Sequence, residues 1–305
     1  MDMDGLNLDQ LEVFVAVTDA GSFSAAARKL GRAQSAVTYA IRRLEDQVGV
    51  ELFDRRAYRP VLTDAGRALL PRAQRIVGEA AAFRAQARSI AGGLEPELSL
   101  VVEAMFPMCQ LLQALSGFQT QFPSVPTRVQ VETLGAAALT VLDGRADLGL
   151  VIDLAGRPDE LDRALVAEVE LVSVASPGHP LADLPGPLGP ETLREHVQLV
   201  LSDRAGPNTG QDRGVAAVRT WRIADLGAKH AMLLAGLGWG SMPLDMVEAD
   251  LAAGRLVRLQ PSRWDGADQM PRLPVFVVHR KEVALGPAGQ WLLHRLKASK
   301  AGARA

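Results

Sequence analysis

A change of period divides this chain. From Leu8 to about Ala91, apolar residues recur three and four positions apart, the spacing of helices. From Leu98 onward, short runs rich in Val, Leu and Ile alternate with helical stretches. The two patterns meet at Gly92-Gly93, with Pro96 close behind, a composition that makes a hinge. One core cannot serve both patterns, and 305 residues suffice for two or three domains. The expected division is 1–66, a helical connector over 67–93, and 94–305.

Charge follows the same division. The whole chain carries −2, which points to no partner. Between Ala20 and Arg75, however, eleven basic residues face five acidic ones, a net +6. The remainder, 22 basic against 30 acidic, carries −8. Such asymmetry puts a polyanion against the first part and not the second.

Within that basic part, Leu8, Leu11, Phe14 and Val15 form one apolar stripe, and Gly21 interrupts it. Ser22 is placed to cap a helix that buries Phe23, Ala26, Ala27 and Leu30 before Gly31 ends it. A third helix, Gln34 to Val48, buries Val37, Ile41, Leu44 and Val48. Its outer side carries Ser35, Tyr39 and Arg42, flanked by Gln34, Thr38 and Arg43. Two short helices joined by a glycine turn, the second with such a face, form a helix-turn-helix pattern. Gln, Ser and Thr read base edges, and Arg reads guanine or holds phosphate. Gln34, Ser35, Thr38 and Tyr39 are the candidate base contacts, with Arg42 and Arg43 beside them. Ser22 and Ser24 join the set from the preceding helix. A polar outer face alone is the ordinary solvated face of an amphipathic helix. The next segment weighs against that bland account, because Val50 to Leu62 reads as a hairpin with Arg55, Arg56, Tyr58 and Arg59 at its tip. Such a wing lies along the DNA backbone or enters the minor groove.

These residues resemble a known family. Leu8-Asp9-Gln10-Leu11 with Phe14, Gly21-Ser22-Phe23 with Ala26-Ala27, Gln34 with Ala36-Val37, Ile41 with Leu44-Glu45, Leu52-Phe53 with Arg55, and Leu62-Thr63 with Ala65-Gly66 resemble the winged helix-turn-helix of LysR-type transcriptional regulators. The resemblance covers nearly all of 6–66. Two positions depart from it: the usual Ser-Gln-Pro opening the recognition helix reads Ala33-Gln34-Ser35, and the usual exposed Ser is Thr38. Ser35 keeps a backbone N–H and a hydroxyl that proline lacks.

Thr63 is placed to cap a further helix from Asp64 to about Ala91, with Leu69, Leu70, Ala73, Ile76, Val77, Ala80 and Phe83 along one edge. Pro71 should bend or weaken it. A lone helix with an apolar edge needs a partner. The resemblance implies that 67–91 pairs two subunits as a homodimer, and that dimers join as a homotetramer; the alternative is packing on its own C-terminal domain.

Beyond the hinge, strands are expected at 98–103, 128–132 and 147–152 with helices at 108–121 and 136–143 between them, a parallel βαβαβ unit. A second unit takes strands at 171–175, 197–201 and 256–259 with helices near 191–195 and 224–237. A strand at 274–279 and a helix at 288–298 close the chain, leaving a disordered tail from Ser299. Phe122-Pro123, Gly144 with Asp147-Leu148-Gly149, Ser176 to Leu181, and Ala235 to Gly238 are similar to the effector domain of the same family, a periplasmic-binding-protein-like pair of α/β subdomains. The resemblance implies a small-molecule cleft between them. Where many relatives place a hydroxyl after the first strand, this chain has Glu103. A carboxylate at a helix start repels anions, so the expected effector is neutral or cationic, contacted by Glu103, Met105, Phe106, Leu134, Ser202 and Asp203. Glu103 read as a helix cap or ion-pair partner is the competing account.

Catalysis and cofactors find little support. Gly236-x-Gly238-x-Gly240 follows a helix, whereas a dinucleotide fingerprint follows a strand. The five histidines show no metal spacing, and no Gly-x-Ser-x-Gly occurs. The single Cys109 allows no internal disulfide and is expected to be a small buried hydrophobe. No apolar run approaches the roughly 20 residues that span a bilayer, and the opening residues lack a signal-peptide pattern, so a cytoplasmic protein is expected. The reading is a DNA-binding regulator without metal or cofactor. The alternatives are a sequence-tolerant DNA-bending protein lacking an effector, and an enzyme built on the C-terminal unit.

Overall fold

A computed structural model describes residues 5–54, 60–152, 159–202 and 214–302, with side chains to residue 298. It forms two compact units, residues 1–91 and 92–305.

The first unit contains α1 (Leu8–Ala20), α2 (Phe23–Leu30), α3 (Gln34–Val48), β1 (Phe53–Asp54), β2 (Val61–Leu62) and α4 (Asp64–Ala91). Each start has a chemical cause. Asn7 and Gln10 form a reciprocal capping box on α1, Ser22 accepts from the Ala25 amide on α2, and Thr63 accepts from the Gly66 amide on α4. Gly31 ends α2 at φ 64°, a left-handed conformation that only glycine adopts cheaply, and so sets the turn into α3. Val13, Phe14, Val17, Ala26, Val37, Ile41, Leu44, Leu52 and Phe53 form the core. Phe53 meets Phe14 and Phe23 edge-on at 5.6 and 5.5 Å. The α1 stripe differs from the expected one: Val13, Ala16 and Val17 are buried, while Leu8 and Val15 are half-buried. The cause is that α1 packs against α2, α3 and α4 together and so buries a wide arc.

The apolar edge of α4 is two surfaces. Leu69, Leu70, Ala73 and Val77 pack into the core of the first unit. Ile76, Phe83 and Ile90, seven residues apart, stay exposed, Phe83 at 73%. The helix runs on through Pro71 without a break.

The second unit contains β3 (Leu98–Glu103), α5 (Met108–Gln121), β4 (Thr127–Glu132), α6 (Ala136–Leu142), β5 (Leu148–Ile152), β6 (Leu161–Ala175), α7 (Pro190–Arg194), β7 (Gln198–Leu201), β8 (Thr220–Ile223), α8 (Leu226–Leu234), β9 (Gly240–Pro243), α9 (Leu244–Ala252), β10 (Val257–Leu259), β11 (Arg272–Arg280) and α10 (Pro287–Gly302). In its first lobe β3 lies between β4 and β5, parallel to both, and β11 and then β6 extend the sheet antiparallel. Leu100, Val102, Leu148, Leu150 and Val277 pack beneath Leu111, Phe118 and Leu292 on one face. Val101, Val151 and Val278 pack beneath Ala137 and Val141 on the other. Covering both faces explains why residues 100–102 of β3 and Leu148–Ile152 of β5 read as unbroken apolar runs.

β6 joins the lobes. Its first part pairs with β11, and Leu171–Ala175 pairs antiparallel with β9 and β10. In the second lobe β7 and β8 are parallel, and bonds between Leu199, Val197 and Trp239 tie β7 to β9. The first ten residues of β6, all of β8 and β9, and α9 lie where the apolar spacing predicts no element. The closing helix continues to Gly302, past the expected tail boundary at Ser299.

Candidate functional site

In α3 the buried side is Val37, Ile41, Leu44 and Glu45, so the opposite side faces out. Gln34, Ser35, Tyr39, Arg42 and Arg43 are all exposed there, Tyr39 at 66%. Thr38 is half-buried, and its hydroxyl donates to the Gln34 carbonyl at 3.0 Å, leaving its oxygen an acceptor toward the outside. Among the described residues no side chain caps α3, so the amides of its first turn present partial positive charge beside Gln34 and Ser35. Ser22 is committed to the Ala25 amide at 3.1 Å, and its hydroxyl lies 3.4 Å from that of Ser24.

The positive charge of this unit is divided. Arg32 donates to both carboxylate oxygens of Asp9, at 2.8 and 2.5 Å. That hydrogen-bonded pairing holds the Asp9 carboxyl below its usual range. Lys29 pairs with Asp19 at 3.9 Å. Arg28, Arg42 and Arg43 are exposed and make no ion pair among the described residues. Arg55, Arg56 and Arg59, expected at the wing tip, lie outside the described residues.

The wing root is described, and it gives contacts to residues that entered the sequence analysis only through the family resemblance or as a helix cap. Glu45 is buried on α3, and its Oε1 accepts from the amides of Leu52 (2.8 Å) and Phe53 (3.2 Å). The Thr63 amide donates to Leu52 O at 3.0 Å, and its hydroxyl to Glu51 O at 2.6 Å. Gly66 packs so closely that a Cβ would stand 2.2 Å from Leu52 O. The available signal was a carboxylate four positions after Ile41, on the stripe otherwise reserved for the core.

In the second unit the inner ends of β3, β4 and β7 come together. Leu134 donates its amide to Glu103 Oε1 at 3.0 Å, and the Thr133 hydroxyl donates to Ser202 O at 3.2 Å, linking the lobes. Three of the expected effector contacts, Glu103, Leu134 and Ser202, therefore sit in one cluster, with Thr133 as an addition. Glu103 is fully buried, and this bond goes to the turn leading into α6. Met105 and Phe106 are buried in the main core. Asp203 lies outside the described residues. Leu134 has φ +55°, a left-handed conformation that strains a branched side chain.

Deeper in the second lobe, Lys229 is buried and donates from Nζ to Ser241 O at 2.7 Å. Burial lowers its pKa from 10.5 to about 7. Cys109 is exposed rather than buried, because it lies on the solvent side of the first turn of α5.

Comparison with known proteins gives two family matches that together span most of the chain. Residues 8–67 match the bacterial regulatory helix-turn-helix protein, lysR family, and residues 91–301 match the LysR substrate binding domain. The chain is 31% identical over 304 residues to a probable HTH-type transcriptional regulator, YhaJ, of Escherichia coli, covering 95% of this chain and 96% of that one. It is 31% identical over 303 residues to the HTH-type transcriptional regulator PtxR of Pseudomonas aeruginosa, covering 97% and 91%. A cysteine mutant of OxyR from Corynebacterium glutamicum shares the fold at TM-score 0.53 and 20% identity, covering 99% and 96%.

Proposed function

The chain belongs to the LysR family of bacterial transcriptional regulators, and from that premise we propose that it binds promoter DNA sequence-specifically under control of a small molecule. The observation that carries the first half is the outer side of α3. Gln34, Ser35 and Tyr39 are exposed there beside Arg42 and Arg43, which no carboxylate of the described residues neutralises. A homodimer formed through α4 puts two such helices into successive major grooves, and dimers join as a tetramer. The exposed row Ile76, Phe83 and Ile90 supports that pairing. Footprinting against excess random competitor tests it: protection of discrete sites supports the regulator, and uniform protection supports sequence-tolerant bending. Turnover of a substrate without DNA would favour the enzyme reading.

The effector site is the cluster of Glu103, Thr133, Leu134 and Ser202, where the two lobes touch. A buried carboxylate at this place disfavours an anion, so the effector is neutral or cationic. Calorimetry with a panel of organic acids, amines and neutral metabolites tests the charge assignment. Tight binding of an organic acid, unchanged by Glu103→Ser, would overturn it.

A further inference from the structure

Glu45 is a charged side chain on a helix face that otherwise buries Val37, Ile41 and Leu44. Taking a carboxylate out of water is costly unless hydrogen bonds replace its hydration. Here one oxygen accepts two backbone amides, Leu52 at 2.8 Å and Phe53 at 3.2 Å. Those amides open the wing: Phe53 pairs with Leu62 across β1 and β2. From the other side, Thr63 and Gly66 close on Leu52. An aliphatic residue in place of Glu45 would fill the space, yet it would leave two buried amides without acceptors. The side chain is therefore a strut between the helix that carries the base-reading face and the first residues of the wing.

We infer that Glu45 is a positioning residue for DNA binding, fixing the root of the wing to the recognition helix so that phosphate contacts from the wing and base contacts from α3 engage in one register. The inference rests on the reading of Arg55 and Arg59 as backbone contacts. It adds that their contribution passes through a buried carboxylate that touches no DNA.

The experiment uses the full chain and random-sequence duplex DNA, with affinity followed by fluorescence anisotropy across a salt series. Four proteins are compared: wild type, Glu45→Asp, the Arg55→Ala/Arg59→Ala pair, and the triple variant. Aspartate keeps the charge but is one methylene too short to reach both amides. If the arginines hold phosphates, their removal flattens the salt dependence by about 0.9 per lost contact. Glu45→Asp is expected to flatten it toward the same value, and the triple variant to be no worse than the arginine pair. An unchanged salt slope in Glu45→Asp, or a loss that multiplies with that of the arginines, would overturn the inference while leaving the wing reading intact. An unchanged slope in the arginine pair itself would overturn both. Amide exchange on the wild type needs no variant: the Leu52 and Phe53 amides should exchange as slowly as those inside α3. Rapid exchange at either would remove the strut.

Discussion

Lys229 and Gly66 show how single positions set terms for a whole unit. Burial of Lys229 disfavours its ammonium form and brings the pKa down from 10.5 to about 7. Between those values the unfolded chain holds a proton that the folded chain lacks, so stability rises with pH through that window and is flat below it. The effect is at most about 1.4 kcal/mol per pH unit. Lys229→Met, similar in length and apolar, should therefore be more stable than wild type to urea at pH 7, with the gap closing toward pH 10. Parallel stability curves for the two proteins would contradict this. Gly66→Ala is expected to cost about 2 kcal/mol or more in urea unfolding, because the new methyl meets the backbone oxygen of Leu52 and neither side can yield cheaply. Lys229 was not legible in the sequence, and Gly66 only as part of the family resemblance. Lysine on a helix reads as solvent-facing, and a glycine three residues past a cap reads as a weak helix former.

At the level of elements, α4 carries the sharpest division of labour. Its inner row belongs to the first unit's own core, and Ile76, Phe83 and Ile90 remain outside. Phe83→Glu should leave the melting of the first unit nearly unchanged, since the side chain is 73% exposed, while shifting sedimentation toward monomer. A variant that unfolds the unit, or one that stays fully dimeric, would assign Phe83 elsewhere. Elements whose burial follows one clear period were readable: α3, α5 and β3 fall where their apolar spacing predicts. Two thirds of β6 went unpredicted because Leu161 to Glu170 interleaves Asp162, Arg163, Glu168 and Glu170 with its apolar residues, which masks a strand whose partner β11 lies more than 100 residues away. β9, with Gly240 and Pro243 in four residues, carries no strand signal of its own and exists because β6 offers it a ladder. The site was legible in the same measure. Polar residues on an outer face could be read from helical phase, whereas Glu45, Thr133 and the contact between Thr133 and Ser202 depend on which loops the fold brings together.

For the whole molecule, the partition of charge along the sequence has a structural counterpart. Within the first unit some cations are neutralised, Arg32 by Asp9 and Lys29 by Asp19, while Arg42 and Arg43 stay exposed beside the base-reading side chains. Exposed positive charge thus stands directly beside the base-reading side chains, where it can hold the phosphates that flank a site. Gln34→Ala should reduce the ratio of specific to random-sequence affinity, with little change in salt dependence. Arg42→Ala and Arg43→Ala should instead weaken binding to all sequences. The most direct test of the account is to capture sheared genomic DNA with the full-length protein and sequence what is bound. The account predicts a small set of enriched sites sharing a dyad-symmetric motif, with half-site centres spaced by whole helical turns, and loss of that motif in Gln34→Ala. Enrichment that follows only base composition, with no shared motif, would contradict it.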